Sequence, residues 1–241
     1  GNFSVSRPSA AAGATTSWTA RNVFSPGIAW IEGRYLVCYC ADYDASGVGS
    51  PCVRDADYVQ FAGTLIIRGA IGAQSWVCIK NATCEVLVQG YSLGAADQVQ
   101  AIAYDSGAGR VSVADACTRG TPFSAAAFEK GRTTSQGGAG SHQLFQLGTA
   151  FAQDTYTVCY CARYLESAGG ALSAGGFCAL DREFSHQAGT LIVRGAVSGE
   201  HYRCNKNIGC LITVMGWAMQ SGDRVQIIPF ADECGRSSKV H

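Results

Sequence analysis

Short stretches of alternating apolar and polar residues recur along the chain, separated by clusters of Gly, Asp and Ser. In Tyr156-Thr157-Val158-Cys159-Tyr160-Cys161, strand alternation places Tyr156, Val158 and Tyr160 on one face and both cysteines on the other. Leu87 and Val88 after Cys84, Val99–Ala103, Tyr156–Ala162 and Thr190–Arg194 are likewise β-branched or aromatic runs of strand length. Residues 120–140, rich in Ala, Ser, Thr, Gly and Gln, lack this period and hold the one candidate short helix, Phe123–Lys130. Residues 6–17 are the corresponding low-complexity region. Such segments run over protein surfaces, where specific binding is expected.

The pattern is duplicated. Tyr35-Leu36-Val37-Cys38-Tyr39-Cys40-Ala41 returns as Tyr156-Thr157-Val158-Cys159-Tyr160-Cys161-Ala162, and Ala62-Gly63-Thr64-Leu65-Ile66-Ile67-Arg68-Gly69-Ala70 returns as Ala188-Gly189-Thr190-Leu191-Ile192-Val193-Arg194-Gly195-Ala196. Cys78 and Cys84 answer Cys204 and Cys210; Asp97-Gln98-Val99 answers Asp223-Arg224-Val225; Cys117 answers Cys234. The predicted class is therefore all-β, with two disulfide-stapled, Ig-like β-sandwich modules related by an internal repeat.

The phase of the repeat sets the domain organisation. Residues 71–196 make one complete module, whereas 1–70 are the back and 197–241 the front of a second. Those two parts are expected to close on each other, because exposed half-sandwich edges aggregate; strand exchange between chains is the alternative.

Twelve cysteines, Cys38, Cys40, Cys52, Cys78, Cys84, Cys117, Cys159, Cys161, Cys178, Cys204, Cys210 and Cys234, indicate disulfides and an oxidising compartment. Cys40 with Cys52, and Cys161 with Cys178, flank glycine-rich stretches and suit bridges. Cys159 is then left for Cys84 or Cys117; if it takes Cys84, Cys78 goes to Cys117. By analogy Cys38 pairs with Cys210 or Cys234, tying the chain ends together. Asn2-Phe3-Ser4 and Asn81-Ala82-Thr83 are glycosylation candidates at Asn2 and Asn81.

Lys plus Arg and Asp plus Glu each number 18, so no net field recruits nucleic acid or anionic membrane. No run approaches 18 apolar residues, which argues against a direct membrane span. The chain opens at Gly1 without a basic or apolar leader and reads as a processed or excised piece.

Catalytic and metal chemistry find little purchase. His142, His186, His201 and His241 have no repeat equivalents, and no Gly-x-Ser-x-Gly elbow occurs, so the histidines read as surface or interface groups. Cys-x-Cys lies outside the usual zinc-knuckle spacing, and a redox Cys-x-x-Cys is missing. Asp42, Asp44, Asp55 and Asp57 lack the calcium-loop pattern. Since Arg163, Glu166, Asp181 and Glu183 stand in the corresponding region, those acids read as a solvated loop not shared between copies. No catalytic residue, metal or cofactor is predicted. Trp18, Trp30, Trp76 and Trp217 do not all match between copies, and one of them could serve a glycan platform, whereas Tyr39 and Tyr160 match and read as packing.

The order Cys-x5-Cys, a strand, Gly, Asp-Arg-Val, Cys, Tyr-x-Val-Cys-Tyr-Cys, Cys and Gly-Thr-Leu-x-Val-Arg-Gly resembles the cysteine-rich repeats of very large secreted or surface proteins of alveolates and related protists. The cysteine repeat modular proteins of apicomplexan parasites are the named example. The resemblance implies β-sandwich modules used in arrays for surface, adhesive or structural purposes, with no catalytic residues.

The expected function is that of a non-enzymatic structural or interaction protein, a tandem-repeat scaffold or adhesion piece. Its expected place is extracellular or at the cell surface, or the lumen of an organelle, and its partners are other proteins in homo- or hetero-assembly. A glycan-binding module, or a lumenal extrinsic subunit buttressing a membrane complex, are the competing expectations.

Overall fold

The computed structural model describes residues 24, 26–41, 52–104, 117, 126–163, 178–229 and 234. Among them the chain is all-β. Strands β1 (Gly33–Tyr39) and β2 (Gln60–Ile67) form a separate antiparallel hairpin. The other nine are β3 (Gly69–Ala70), β4 (Gln74–Ile79), β5 (Thr83–Tyr91), β6 (Gln98–Ala103), β7 (Arg132–Ala139), β8 (His142–Thr149), β9 (Asp154–Cys161), β10 (His186–Ala196) and β11 (Gly216–Trp217). They make one sheet in the order β11-β10-β9-β6-β7-β8-β5-β3, with β4 added in parallel to β10.

The sheet curls because β7 changes partner partway along. Residues 132–134 pair with β6, and from Ser135 onward the strand pairs with β8. The halves on either side thus face each other around one core: Val86 and Val88 of β5 with Phe145 and Leu147 of β8, against Val99, Tyr156, Val158, Leu191 and Val193. β4 lies alongside β5 without a ladder between them. Side chains bridge the gap: Gln74 donates to the Gln89 carbonyl and accepts from the Gln89 N–H, and Trp76 Nε1 donates to the Leu87 carbonyl.

Strand β9 is buried on both faces. Tyr156, Val158 and Tyr160 point into the main core, while Cys159 and Cys161 join Ile102, Cys117, Cys178 and Phe184 in a second cluster on the opposite side. The period-two pattern in the sequence made this division, and it explains why the two thiols take separate partners.

Among the described residues five disulfides are present: Cys40–Cys52, Cys78–Cys84, Cys117–Cys159, Cys161–Cys178 and Cys204–Cys210. Cys159 thus takes Cys117, leaving the adjacent Cys78 and Cys84 to each other across the β4–β5 turn. With Cys210 bound to Cys204, the expected Cys38–Cys210 bridge is ruled out in this structure. Cys38 and Cys234 are exposed and carry no disulfide.

One further expectation needs correction. The helix over Phe123–Lys130 is not formed in its described part: residues 126–127 make a turn, and Phe128 bridges Ala150. Burial of Phe128 against Tyr156, ring centroids 4.8 Å apart, outweighs the weak local helix preference of an Ala-Ala-Phe stretch. Among the described residues, no strand ladder joins residues 1–70 to residues 197–241. β1 pairs with β2, and the residues after β10 attach to the end of β10.

Candidate functional site

The most elaborate polar arrangement among the described residues lies where the segment after β2 meets the start of β6. Arg68 follows β2 and reaches Asp97, the residue preceding β6. Its Nη2 donates to both carboxylate oxygens, at 3.1 and 3.2 Å, and its Nε donates to the Ser92 carbonyl at 2.7 Å. Asp97 is fully buried. A buried carboxylate is tolerable only when charge and lone pairs are matched, and here four groups do so. Beside Arg68 these are the Gly94 N–H, the Arg163 N–H and the Tyr160 hydroxyl. Burial first, and then the bond to Asp97, push the Tyr160 phenol far above its ordinary range.

The backbone beside Arg68 completes the junction. Gly69 and Ala70 pair with Tyr91 and Gly90, and a Cβ on Gly90 would sit 2.3 Å from the Gly69 carbonyl oxygen. Only glycine permits that approach. His186 is half-buried, with its Nε2 2.5 Å from the Ala70 carbonyl of β3.

The same device recurs 126 residues later. Arg194 Nη2 donates to both oxygens of Asp223, at 2.8 and 3.0 Å, and its Nε to the Ala218 carbonyl at 2.8 Å. Gly195 and Ala196 pair with Trp217 and Gly216, and a Cβ on Gly216 would sit 2.4 Å from the Gly195 oxygen. The left-handed residues Ser92 and Ala218, with φ of 54° and 52°, turn the chain identically in both places. The Gln220 N–H, joined by Arg194, holds the Asp223 carboxyl below its usual range. At this second junction the tyrosine is missing: Tyr39, which corresponds to Tyr160, sits in the separate hairpin and is half-exposed.

The acidic residues around Cys52 have a structural role. Asp57 accepts from the N–H groups of Val53 and Arg54, and Glu183 from those of Ala179 and Leu180, each closing a single 3-10 turn beside a disulfide. Of these acids, Asp57 and Glu183 perform the same capping at different side-chain length, which the sequence comparison did not anticipate. Asp42 and Asp44 lie outside the described residues. No cluster of three or more potential metal ligands occurs among the described residues.

The remaining candidates do not converge. His142 and His201 are exposed; Asn81 is exposed at the β4–β5 turn; Trp30 and Trp217 are exposed and Trp76 is half-buried. Asn2, Trp18, Glu166 and His241 lie outside the described residues. The described surface offers an open depression lined by Val77, Ile79, Thr83 and Glu85 beside the Cys78–Cys84 bridge, with no nucleophile or acid–base pair in it. No helix of the described residues is long and apolar enough to cross a membrane. The junction itself gave no sequence signal beyond the matched Arg-Gly-Ala and Asp-x-Val motifs, whose residues lie 29 positions apart. No protein-family model, no curated protein and no solved structure matches this chain.

Proposed function

We propose that this chain is a non-enzymatic scaffold of an oxidising compartment, built from Ig-like cysteine-rich modules in tandem, whose role is to form extended protein assemblies. The observation that carries this reading is the duplicated junction. An Arg-Gly-Ala arm leaving one module docks on the Asp and Gly of the next, with the same hydrogen bonds at Arg68–Asp97 and Arg194–Asp223. A linkage built twice by the same residues, and not left as a flexible linker, suits a rigid row of modules. The disulfides fit an extracellular, cell-surface or lumenal setting. The resemblance to the cysteine repeat modular proteins points the same way, and adhesion or support of a membrane complex are uses such a row could serve.

Small-angle scattering of the chain, with Cys38 and Cys234 alkylated to keep it monomeric, tests the reading. An elongated particle is expected, shortened by nothing but loss of the junction arginines. A compact particle, or saturable glycan binding that quenches exposed Trp30 or Trp217, would replace the scaffold with a ligand-binding module.

A further inference from the structure

Resting on the array reading above, we infer that a second copy of this chain completes the split module: the β1–β2 hairpin of one copy takes up residues 197–234 of another, and Cys38 bonds Cys234 across the joint.

The complete module supplies the template. There β6 pairs antiparallel with β9, setting Ala101 opposite Val158 and Val99 opposite Tyr160. β10 runs parallel to β4, with Gly189 opposite Gln74. Carried over by the sequence match, Ile227 falls opposite Val37, Val225 opposite Tyr39, and Gly63 opposite Glu200. None of these pairs forms within the chain. The consequence is visible in exposure: Val158, Val99 and Ala101 are each 0% exposed, whereas Val37, Val225 and Ile227 are 41%, 59% and 83% exposed. These are core positions left open to water, and mutual burial of such side chains is favourable.

Two more observations fit the same partner. A Cβ on Gly189 would lie 2.1 Å from the Gln74 carbonyl oxygen, so glycine is required there; Gly63 holds the matching place with nothing within 4 Å of its own Cβ. Cys117 and Cys159 are bonded in the complete module, and their matches are Cys234 and Cys38, the two exposed thiols. In the completed module Tyr39 also comes to Asp223 as Tyr160 does to Asp97.

Geometry favours another copy over self-closure. The chain before the complete module is anchored at one end of β10, where His186 meets Ala70. The chain after it is anchored at the other end, where Gly195 and Ala196 pair with β11. Ten residues of strand separate these points by about 33 Å at ~3.3 Å per residue. Complementary halves at opposite ends give a head-to-tail contact that repeats instead of closing. Linking Cys38 to Cys234 removes two electrons and two protons. Oxidised glutathione supplies the counterpart by thiol–disulfide exchange, its S–S bond breaking as the protein's forms and leaving two glutathione thiols.

The test mixes equal amounts of ordinary and 15N-labelled chain in a glutathione redox buffer, then maps disulfides without reduction and reads size by sedimentation. A ladder of oligomers is expected, with about half of the Cys38–Cys234 linkages joining one light and one heavy peptide, as random pairing between chains requires. Cys38→Ala and Cys234→Ala chains should each stay unlinked alone but give a single-bridge dimer, and nothing larger, when mixed. Linkages of one isotope only, in a monomer, overturn the second copy in favour of self-closure. Two thiols that both remain alkylatable, or a dimer from either variant alone, overturn it as well. An elongated alkylated monomer in any of those cases leaves the array standing and the partner assignment fallen, so the two failures are distinguishable.

Discussion

The guanidinium of Arg68 forks onto the fully buried carboxylate of Asp97, joining residues 29 positions apart in the chain. Arg194 and Asp223 repeat the pair in a more exposed setting. The same chemistry in two environments allows burial to be separated from geometry. Replacing Arg68 by Met strands a buried charge and should cost about 3 kcal/mol in a denaturant titration. Arg194→Met should change the same transition far less, because water screens the exposed Asp223.

Tyr160→Phe removes one of the groups that satisfy Asp97 while leaving the ring in the core. An expected loss of about 1–3 kcal/mol reflects an unmet bond on a buried carboxylate. Tyr39→Phe, at the matching but half-exposed position, should leave the monomer's stability unchanged and weaken only the linked form.

Burial, and then the charge of Asp154, push the Tyr156 phenol up to about 12, and Tyr160 is raised further in the same direction. A phenol whose folded value exceeds its unfolded one of roughly 10 favours the native state fully below pH ~10 and withdraws that support as pH climbs through the folded value. Alkaline unfolding should therefore begin above pH ~10. Followed by phenolate absorbance, these two of the 10 tyrosines should ionise together with the loss of structure.

Glu183 is lowered chiefly by the Leu180 N–H, with those of Ala179 and Cys178 adding to it. Its capping contribution is present above the ordinary carboxylate range and is lost as pH falls through the depressed folded value. Glu183→Gln should flatten the acid limb of a stability–pH profile, by at most about 1 kcal/mol for so exposed a group. Protease nicking near Cys178 on acidification would report the same loosening.

Ile227→Asp should leave the monomer's denaturation midpoint where it is, since the side chain is 83% exposed, and yet abolish the oligomer ladder. Gly189→Ala, by contrast, should destabilise the monomer by about 1–3 kcal/mol, since β4 cannot retreat from the 2.1 Å contact without giving up its ladder.

Much of this architecture is local in origin and so could be read from the sequence. Period-two alternation assigned β9 its two faces, and duplicated motifs located Cys38, Gly63, Arg68 and Asp97 beside their counterparts Cys159, Gly189, Arg194 and Asp223. What tertiary structure alone decided were the contacts between distant residues. Cys159 chose Cys117 over Cys84 because Cys78 lies across the tight β4–β5 turn from Cys84. Phe128 joined the core instead of a helix because Tyr156 offered it a buried edge. The joining of Arg68 to Asp97 is a contact across 29 positions that no local preference encodes. That β1 pairs with β2, while the residues after β10 pair with the end of β10, is likewise set by strand geometry in three dimensions and not by residue order.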